Sequence, residues 1–226
     1  MHQIWHDLLF MHWCVPVEAL RPLIPASLQI DTFEGNAWIA VVPFRMSGVR
    51  PRYLPSVPKL SAFPELNVRT YVIRDGKPGV WFFSLDAGNA LAVKIARAWF
   101  HLPYFHARMR CEANGSGIRY DSRRIHRNAP TATLTANYGP SGDVFEAQIG
   151  SLEYFLTARY CLYTADILGQ LYCGEIEHAA WPLQPAKATI QQNSMTNWFN
   201  IHLPDTAPLL HFVRKIEVVV WPLQRL

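Results

Sequence analysis

Short runs of β-branched and aromatic residues recur along the chain, mostly between glycine, proline and aspartate turn signals. This pattern is typical of a mainly β protein with a few helices. The clearest hairpin has RDGKPG (74–79) between the strand-like segments ELNVRTYVI (65–73) and VWFFSLDA (80–87). Further strands are predicted at 27–32, 36–47, 106–113, 117–123, 131–138, 159–164, 169–178, 186–192 and 211–221.

Three segments have helical character. PVEALRPLI at 16–24 follows a strand and ends before Pro25, and the helix predicted at 88–101 has Asn89 as its cap and stops ahead of Pro103. A third helix is predicted at 150–160, with Ser151 as its cap. The helices are too few to build the core, so the strands must do so.

The number of strands favours a closed or nearly closed antiparallel β-barrel, because closure removes exposed edges. No shift in composition marks a boundary, so we expect a single domain spanning residues 1–226. A proline-rich loop at 49–64 is the one long loop, and such loops often form the rim of a pocket.

Polar and apolar residues alternate along the first arm of the hairpin. Glu65, Asn67 and Arg69 share one face, whereas Leu66 and Val68 share the other. The polar face either lines the lumen of the barrel, where it would hold a small polar ligand, or forms the solvent face of an amphipathic strand. The long loop leads directly to Glu65, and this favours the lumen.

The charged residues give little support to a nucleic-acid partner. The chain has 226 residues, is 50% hydrophobic and carries a net charge of +4, but its basic residues are scattered. The one cluster, RYDSRRIHR at 119–127, is best interpreted as an exposed turn and strand. We therefore expect no nucleic-acid partner.

The cysteines and the apolar segments bear on localisation. The four cysteines form no CxxC pair, so buried free thiols in a reducing compartment are expected. The first residues lack the features of a signal peptide, and no stretch of 18 uncharged apolar residues exists. These observations predict a cytoplasmic protein without a membrane partner.

Common catalytic motifs are missing from the sequence. No metal-ligand spacing, GxSxG elbow, phosphate loop or GxGxxG occurs, so neither a metal nor another cofactor is expected. His106, His178 and His211 have apolar neighbours, which is more typical of core histidines than of ligands. The candidate chemistry therefore rests on the polar face of the hairpin.

Four stretches carry a resemblance to a known family: PVEALRPLIPASLQID (16–31), FPELNVRTYV (64–73), GVWFFSLDA (79–87) and ARAWFHLPYFHA (96–107). They resemble the YqjF-like family of uncharacterised bacterial proteins, and HAAWPLQPA at 178–186 extends the match over nearly the whole chain. Through this family the chain looks like a member of the acetoacetate decarboxylase-like superfamily.

This resemblance implies a mainly antiparallel β-barrel or cone with a few helices packed outside and a central pocket. At the catalytic position, however, the sequence departs from the family. In the decarboxylase, an arginine-bearing helix leads to two lysines, the first of which forms a Schiff base with the substrate. Here Arg97 matches that arginine, but Tyr104 and Phe105 stand where the lysines would be. A phenol cannot form an imine, so Schiff-base chemistry is not expected. The family's pocket glutamate is matched by Glu65.

Two functions are compatible with the remaining groups. Glu65, Tyr104, Arg69, Asn67, Arg97 and His106 would bind a small carbonyl- or carboxylate-bearing or aromatic molecule in the barrel. Alternatively, the protein is a lyase or isomerase acting on a small oxo acid, with Glu65 as acid/base and Tyr104 as oxyanion donor. Superfamily members commonly self-associate, and the aromatic segments are compatible with a homo-oligomer.

Overall fold

The computed structural model describes residues 1–51, 55, 61–115 and 117–226. The predicted mainly β architecture is confirmed. The strands are β1 (His2–Val15), β2 (Gln29–Ile30), β3 (Ala37–Arg50), β4 (Phe63–Arg74), β5 (Lys77–Ala87), β6 (Tyr104–Asn114), β7 (Gly117–Arg124), β8 (Thr133–Pro140), β9 (Cys161–Ala165), β10 (Leu171–Glu177), β11 (Gln184–Asn193), β12 (Leu209–Val220) and β13 (Gln224–Arg225).

The helices are α1 (Val17–Leu20), α2 (Ala90–Phe100) and α3 (Leu152–Thr157), and short 3-10 turns lie at Arg21–Leu23 and Asn197–Phe199. Both predicted caps are present, since Asn89 accepts hydrogen bonds from two backbone N–H groups of α2 and Ser151 accepts one in α3. The segment predicted at 16–24 is only partly α-helical. Within the described residues, no helix is long and apolar enough to cross a membrane.

The hairpin of β4 and β5 turns more tightly than the sequence suggests. Arg74 pairs with Lys77, so only Asp75 and Gly76 form the turn. Both have positive φ, at 51° and 74°, as a two-residue type I′ turn requires. The hairpin register then aligns Glu65 with Ala87, at the far end of the two strands.

The strand pairings among the described residues close into two rings. The small ring consists of β1, β3, β4, β5, β9, β10 and β12. The large ring consists of β5, β6, β7, β8, β11, β12, β1, β3 and β4 in this order. The two rings therefore share β12, β1, β3, β4 and β5. The pairings of β5 with β6 and with β9 are parallel, and the other pairings of these rings are antiparallel, so the sheet is mainly antiparallel.

The strands shared by the two rings are buried on both faces. In β4, Leu66 and Val68 pack in one core, whereas Tyr71 packs in the other. Each strand of the small ring contributes to that second core, through Phe10, Phe44, Tyr71, Leu85, Leu162, Ile176 and Val218. A polar side chain on this face of β4 therefore points into protein and not into solvent.

Strand β1 lies at the centre of the sheet, between β3 and β12, but the sequence predicted no bounds for it. Its two faces are both buried: Leu9 and Met11 join one core, and Leu8 and Phe10 join the other. The period-two alternation that marks a half-buried strand is therefore missing, which explains the omission.

Two of the four free thiols differ from the prediction of burial. Cys161 and Cys173 are buried, and their sulfur atoms lie 2.7 Å apart. Cys111 is partly buried, and Cys14 is exposed because it occupies an outward position near the end of β1. Neighbouring apolar residues are thus a poor guide to burial at the end of a strand.

A buried ion pair joins β5 to β7. Arg124 donates from Nε and Nη2 to the two carboxylate oxygens of Asp86, at 2.8 and 2.6 Å, and both side chains are fully buried. The guanidinium also lies over the ring of Phe105, 4.0 Å from its centroid. Such a pair contributes little net stability, but the loss of one partner leaves a buried charge.

Candidate functional site

The polar face of β4 lies inside the protein. Glu65, Asn67 and Arg69 are 3%, 6% and 7% exposed, so the interpretation of this face as a solvent face does not hold. Alternation along β4 directs all three towards the lumen of the small ring. The pattern identified in the sequence thus brings a carboxyl, an amide and a guanidinium together.

These three residues line a cavity of about 80 Å³ inside the small ring. Tyr104 and Arg159 add polar groups, and much of the remaining wall is aromatic: Trp5, Phe44, Phe82, Phe100 and Trp181. The space accommodates about six water-sized groups. A mostly apolar wall with a few convergent polar groups is typical of a small-molecule site.

Glu65 and Tyr104 form a hydrogen-bonded pair in this wall. The Tyr104 hydroxyl donates to Oε2 of Glu65 at 2.9 Å. Tyr104 reaches the cavity because β6 begins at this residue and pairs with Leu85 in β5. Glu65 is held from behind by Tyr120, whose hydroxyl donates to the backbone oxygen of Glu65 at 2.7 Å.

Burial controls the ionisation of this pair. Desolvation raises the pKa of Glu65 from 4.5 to about 8; the hydrogen bond from Tyr104 lowers the pKa, and the charge of Asp86 raises it. Burial also raises the pKa of Tyr104 well above its usual value of 10.0. At neutral pH, both groups therefore carry protons, and Glu65 can donate a hydrogen bond into the cavity through Oε1.

Arg69 is a buried cation without a counter-ion in the described part of the chain. Its Nε and Nη2 have no hydrogen-bond partner there, and its guanidinium lies 5.2 Å from the ring of Phe10. Oδ1 of Asn67 also has no partner among the described residues. Buried polar atoms are normally paired, and an arginine stays charged, so this wall of the cavity favours an anion.

The groups behind Arg69 do not supply that anion. Oη of Tyr71 lies 2.7 Å from Nε2 of His12, and both residues are buried. Burial first, and then the charge of Arg69, lowers the pKa of His12 well below 6.5, so the imidazole is neutral. Arg69 therefore has aromatic and neutral neighbours on this side.

Arg159 is a second arginine of the wall, and sequence reasoning missed it. Its Nη1 donates to Oδ2 of Asp31 at 2.5 Å, and its Nε donates to the backbone oxygen of Phe155 at 2.6 Å. Arg159 is therefore already neutralised, unlike Arg69. It lies between α3 and β9, and no local pattern in the sequence marks it as a wall residue.

Arg97 and His106, which the sequence also nominated, lie outside the cavity wall. Arg97 is exposed on α2, and its Nη1 donates to the backbone oxygen of Tyr104 at 2.7 Å. His106 is partly buried, and its backbone N–H donates to Nδ1 of His126 at 3.1 Å. Arg97 therefore supports the backbone at Tyr104 without facing the cavity, and His106 binds its neighbour through the main chain.

The described lysines do not contribute to the cavity wall, which contains none of Lys77, Lys94, Lys187 and Lys215. Phe105, at the second lysine position of the resemblance, points to the opposite face of β6 and meets Arg124. Half of the loop predicted as a pocket rim, 49–64, lies outside the described residues, and so does Lys59 within it. The described residues hold no group of three or more potential metal ligands.

The fold places the chain in a structural class. A structure of acetoacetate decarboxylase has a TM-score of 0.65 and 12% identity, covering 100% of this chain and 88% of that chain. The enduracididine biosynthesis enzyme MppR, complexed with pyruvate, has a TM-score of 0.67 and 12% identity, covering 99% of this chain and 89% of that chain. The predicted acetoacetate decarboxylase-like fold is confirmed, and at this identity the likeness concerns the fold alone.

The sequence defines a narrower group within that class. The model of the family DUF2071, described as an uncharacterized conserved protein, matches residues 2–217. The uncharacterized protein YqjF of Bacillus subtilis (strain 168) is 49% identical over 225 residues, which cover 100% of this chain and 92% of that protein. The chain belongs to this family, so the predicted YqjF-like membership is confirmed.

Proposed function

We propose that the protein binds a small oxo acid, or a closely related carboxylate-bearing carbonyl compound, in the cavity of the small ring. Arg69 pairs with the carboxylate of the ligand, and protonated Glu65 donates a hydrogen bond to its carbonyl oxygen. The aromatic wall covers the apolar remainder of the molecule. Tyr104 holds Glu65 in place through their hydrogen bond.

The observation that carries this proposal is a buried guanidinium that has no counter-ion among the described residues. Arg69 is 7% exposed, and two of its nitrogens have no partner in the described chain. A planar guanidinium matches a carboxylate with two parallel hydrogen bonds, and this pairing would remove the cost of a buried, uncompensated charge. The size of the cavity also suits a three- or four-carbon oxo acid, and the structurally similar MppR is described as complexed with pyruvate.

Calorimetric titration with pyruvate, 2-oxobutyrate and acetoacetate tests the proposal. We expect binding by the wild type and a loss of about 30-fold or more in affinity for Arg69→Gln, because the variant leaves the carboxylate unpaired. Arg108→Gln, at an exposed arginine of β6, is the matched control and should bind like the wild type. If none of the acids binds, or if Arg69→Gln binds them equally well, the proposal fails.

The proposed binding does not use a Schiff base. Tyr104 occupies the position of the expected nucleophile, and the described lysines are absent from the wall. Treatment with pyruvate and cyanoborohydride, followed by mass spectrometry of the whole chain, should leave the mass unchanged. A stable adduct on any lysine, including Lys59, would contradict this part of the proposal.

A second candidate function is acid/base catalysis on the bound oxo acid, and the Glu65–Tyr104 pair favours it. A carboxyl group whose pKa is about 8 can both give and accept a proton near neutral pH. The phenol can stabilise an enolate oxygen when its hydroxyl turns from Glu65 to the ligand. Proton exchange at the carbon next to the carbonyl, followed by NMR in deuterated water, would detect this activity. We expect exchange in the wild type and none in Glu65→Gln; equal exchange rates in both would exclude it.

A further inference from the structure

A groove of about 560 Å³ lies on the surface next to the cavity. Its wall includes Tyr160, Trp221 and Leu223, and it shares Ile176 and His178 with the wall of the cavity. The two spaces are therefore separated by a single layer of side chains. The groove is several times larger than the cavity. A ligand bound in the cavity would therefore have much more space if these side chains did not separate the two.

Ile176 is a fixed part of this separation. It belongs to β10, where it pairs with Val220 of β12, and its backbone N–H donates to the oxygen of Tyr160 at 2.9 Å. Movement of Ile176 would break the pairing that closes the small ring. Ile176 therefore cannot move aside to connect the cavity with the groove.

His178 is held less firmly, because it follows the last residue of β10. Its imidazole lies between the rings of Tyr160 and Trp181, with centroids 4.7 Å from each, and Nδ1 lies 2.7 Å from the backbone oxygen of Ala179. Trp181 is itself anchored, since its Nε1 donates to the oxygen of Thr157 at 2.7 Å. The imidazole therefore fills the space between these two rings, and its removal would leave the pairing of β10 with β12 in place.

We propose that His178 determines the length of the ligand, because its imidazole closes the passage from the cavity to the groove. This inference rests on the proposed function and names its substrate class as short-chain oxo acids of about three or four carbons, from the size of the cavity. Removal of the imidazole joins the cavity to the groove. A longer acyl chain then extends from the carboxylate at Arg69 along Tyr160 and Leu223.

A homologous series of acids tests the role of His178 in ligand length. Pyruvate, 2-oxobutyrate, 2-oxohexanoate and 2-oxooctanoate are titrated into the wild type, His178→Ala and His202→Ala, the last being an exposed histidine outside both spaces. We expect the wild type to bind the two short acids at least tenfold more tightly than the two long ones. In His178→Ala, the affinity for 2-oxooctanoate relative to that for pyruvate should rise at least tenfold, and His202→Ala should behave like the wild type.

A second measurement needs no ligand. Trp5 and Trp181 line the cavity, so quenching of tryptophan fluorescence by acrylamide reports access to it. His178→Ala should raise the quenching constant above that of the wild type and of His202→Ala. Trp5→Phe, made in the His178→Ala background, should remove part of this increase.

The two measurements separate the possible failures. If His178→Ala binds pyruvate and has the same chain-length profile and the same quenching constant as the wild type, the role of His178 is overturned and the proposed function stays in place. Raised quenching with no binding of any oxo acid would keep His178 as the barrier and overturn the proposed ligand class.

Discussion

Glu65 provides the most direct test of the electrostatics of the cavity, because its proton links folding to pH. Burial raises its pKa from 4.5 to about 8 in the folded state. Between these two values the folded protein holds a proton that the unfolded chain has released. The stability contributed by this proton is fully present below about pH 4.5 and is lost as the pH rises through about 8.

The size of the effect follows from the shift. A change of about 3.5 pKa units corresponds to about 5 kcal/mol over the full window, at about 1.4 kcal/mol per unit. Between about pH 5 and pH 8, where the protein can be handled, integration of the linkage relation leaves about 3–4 kcal/mol. Glu65 is 3% exposed, so screening by solvent does not reduce this figure substantially.

The Glu65→Gln variant isolates this contribution, because glutamine keeps the shape of the side chain and does not titrate in this range. The free energy of unfolding is measured by urea denaturation for both proteins at about pH 5, 6, 7 and 8. The free energy of unfolding of the wild type minus that of the variant should fall by about 3–4 kcal/mol from about pH 5 to pH 8. The contributions of other titrating groups are the same in both proteins and cancel in this difference. A difference that stays constant with pH would refute a raised pKa at Glu65.

Two further substitutions test neighbouring interactions by urea denaturation. Tyr104→Phe removes a hydrogen bond that lowers the pKa of Glu65, so the pH at which the stability is lost should move upwards; an unchanged midpoint would contradict the pairing. Asp86→Asn leaves Arg124 uncompensated and should reduce the free energy of unfolding by about 3–5 kcal/mol. Arg119→Ala, which breaks an exposed ion pair, should change it by less than about 1 kcal/mol, and similar losses in the two variants would reject this distinction.

The sequence predicted those parts of the fold that depend on local signals. Asn89 and Ser151 cap helices where expected, and Asp75 and Gly76 turn the chain between β4 and β5. Strand β1 and the particular strand pairings that close the two rings were beyond local reasoning. They depend on contacts distant in sequence, such as β5 with β9 and β10 with β12, and strands buried on both faces lose the alternating pattern.

Only part of the candidate site was likewise predictable from the sequence. Alternation on one strand was enough to nominate Glu65 and Arg69, and the family resemblance added Tyr104. Arg97 matched a family position by spacing, but it projects from the exposed side of α2, where it contacts the backbone oxygen of Tyr104 and the ring of Phe105. Arg159 and His178 join the wall from strands and loops that meet only after the small ring has closed, so their neighbours in sequence carry no sign of the cavity.

The physical cost of Arg69 argues that the polar face of β4 serves a ligand rather than the fold. The opposite face of the same strand shows what folding requires there, since Leu66 and Val68 fill a core without any polar group. A methionine at position 69 would fill similar space and avoid a buried charge that costs several kcal/mol when unpaired. A buried guanidinium without a counter-ion among the described residues, on the same strand face as a protonated carboxyl group, contradicts the rules of core packing. Such contradictions are expected at functional sites. A carboxylate in the cavity would remove the contradiction, because it would supply the partner that the described part of the chain does not provide.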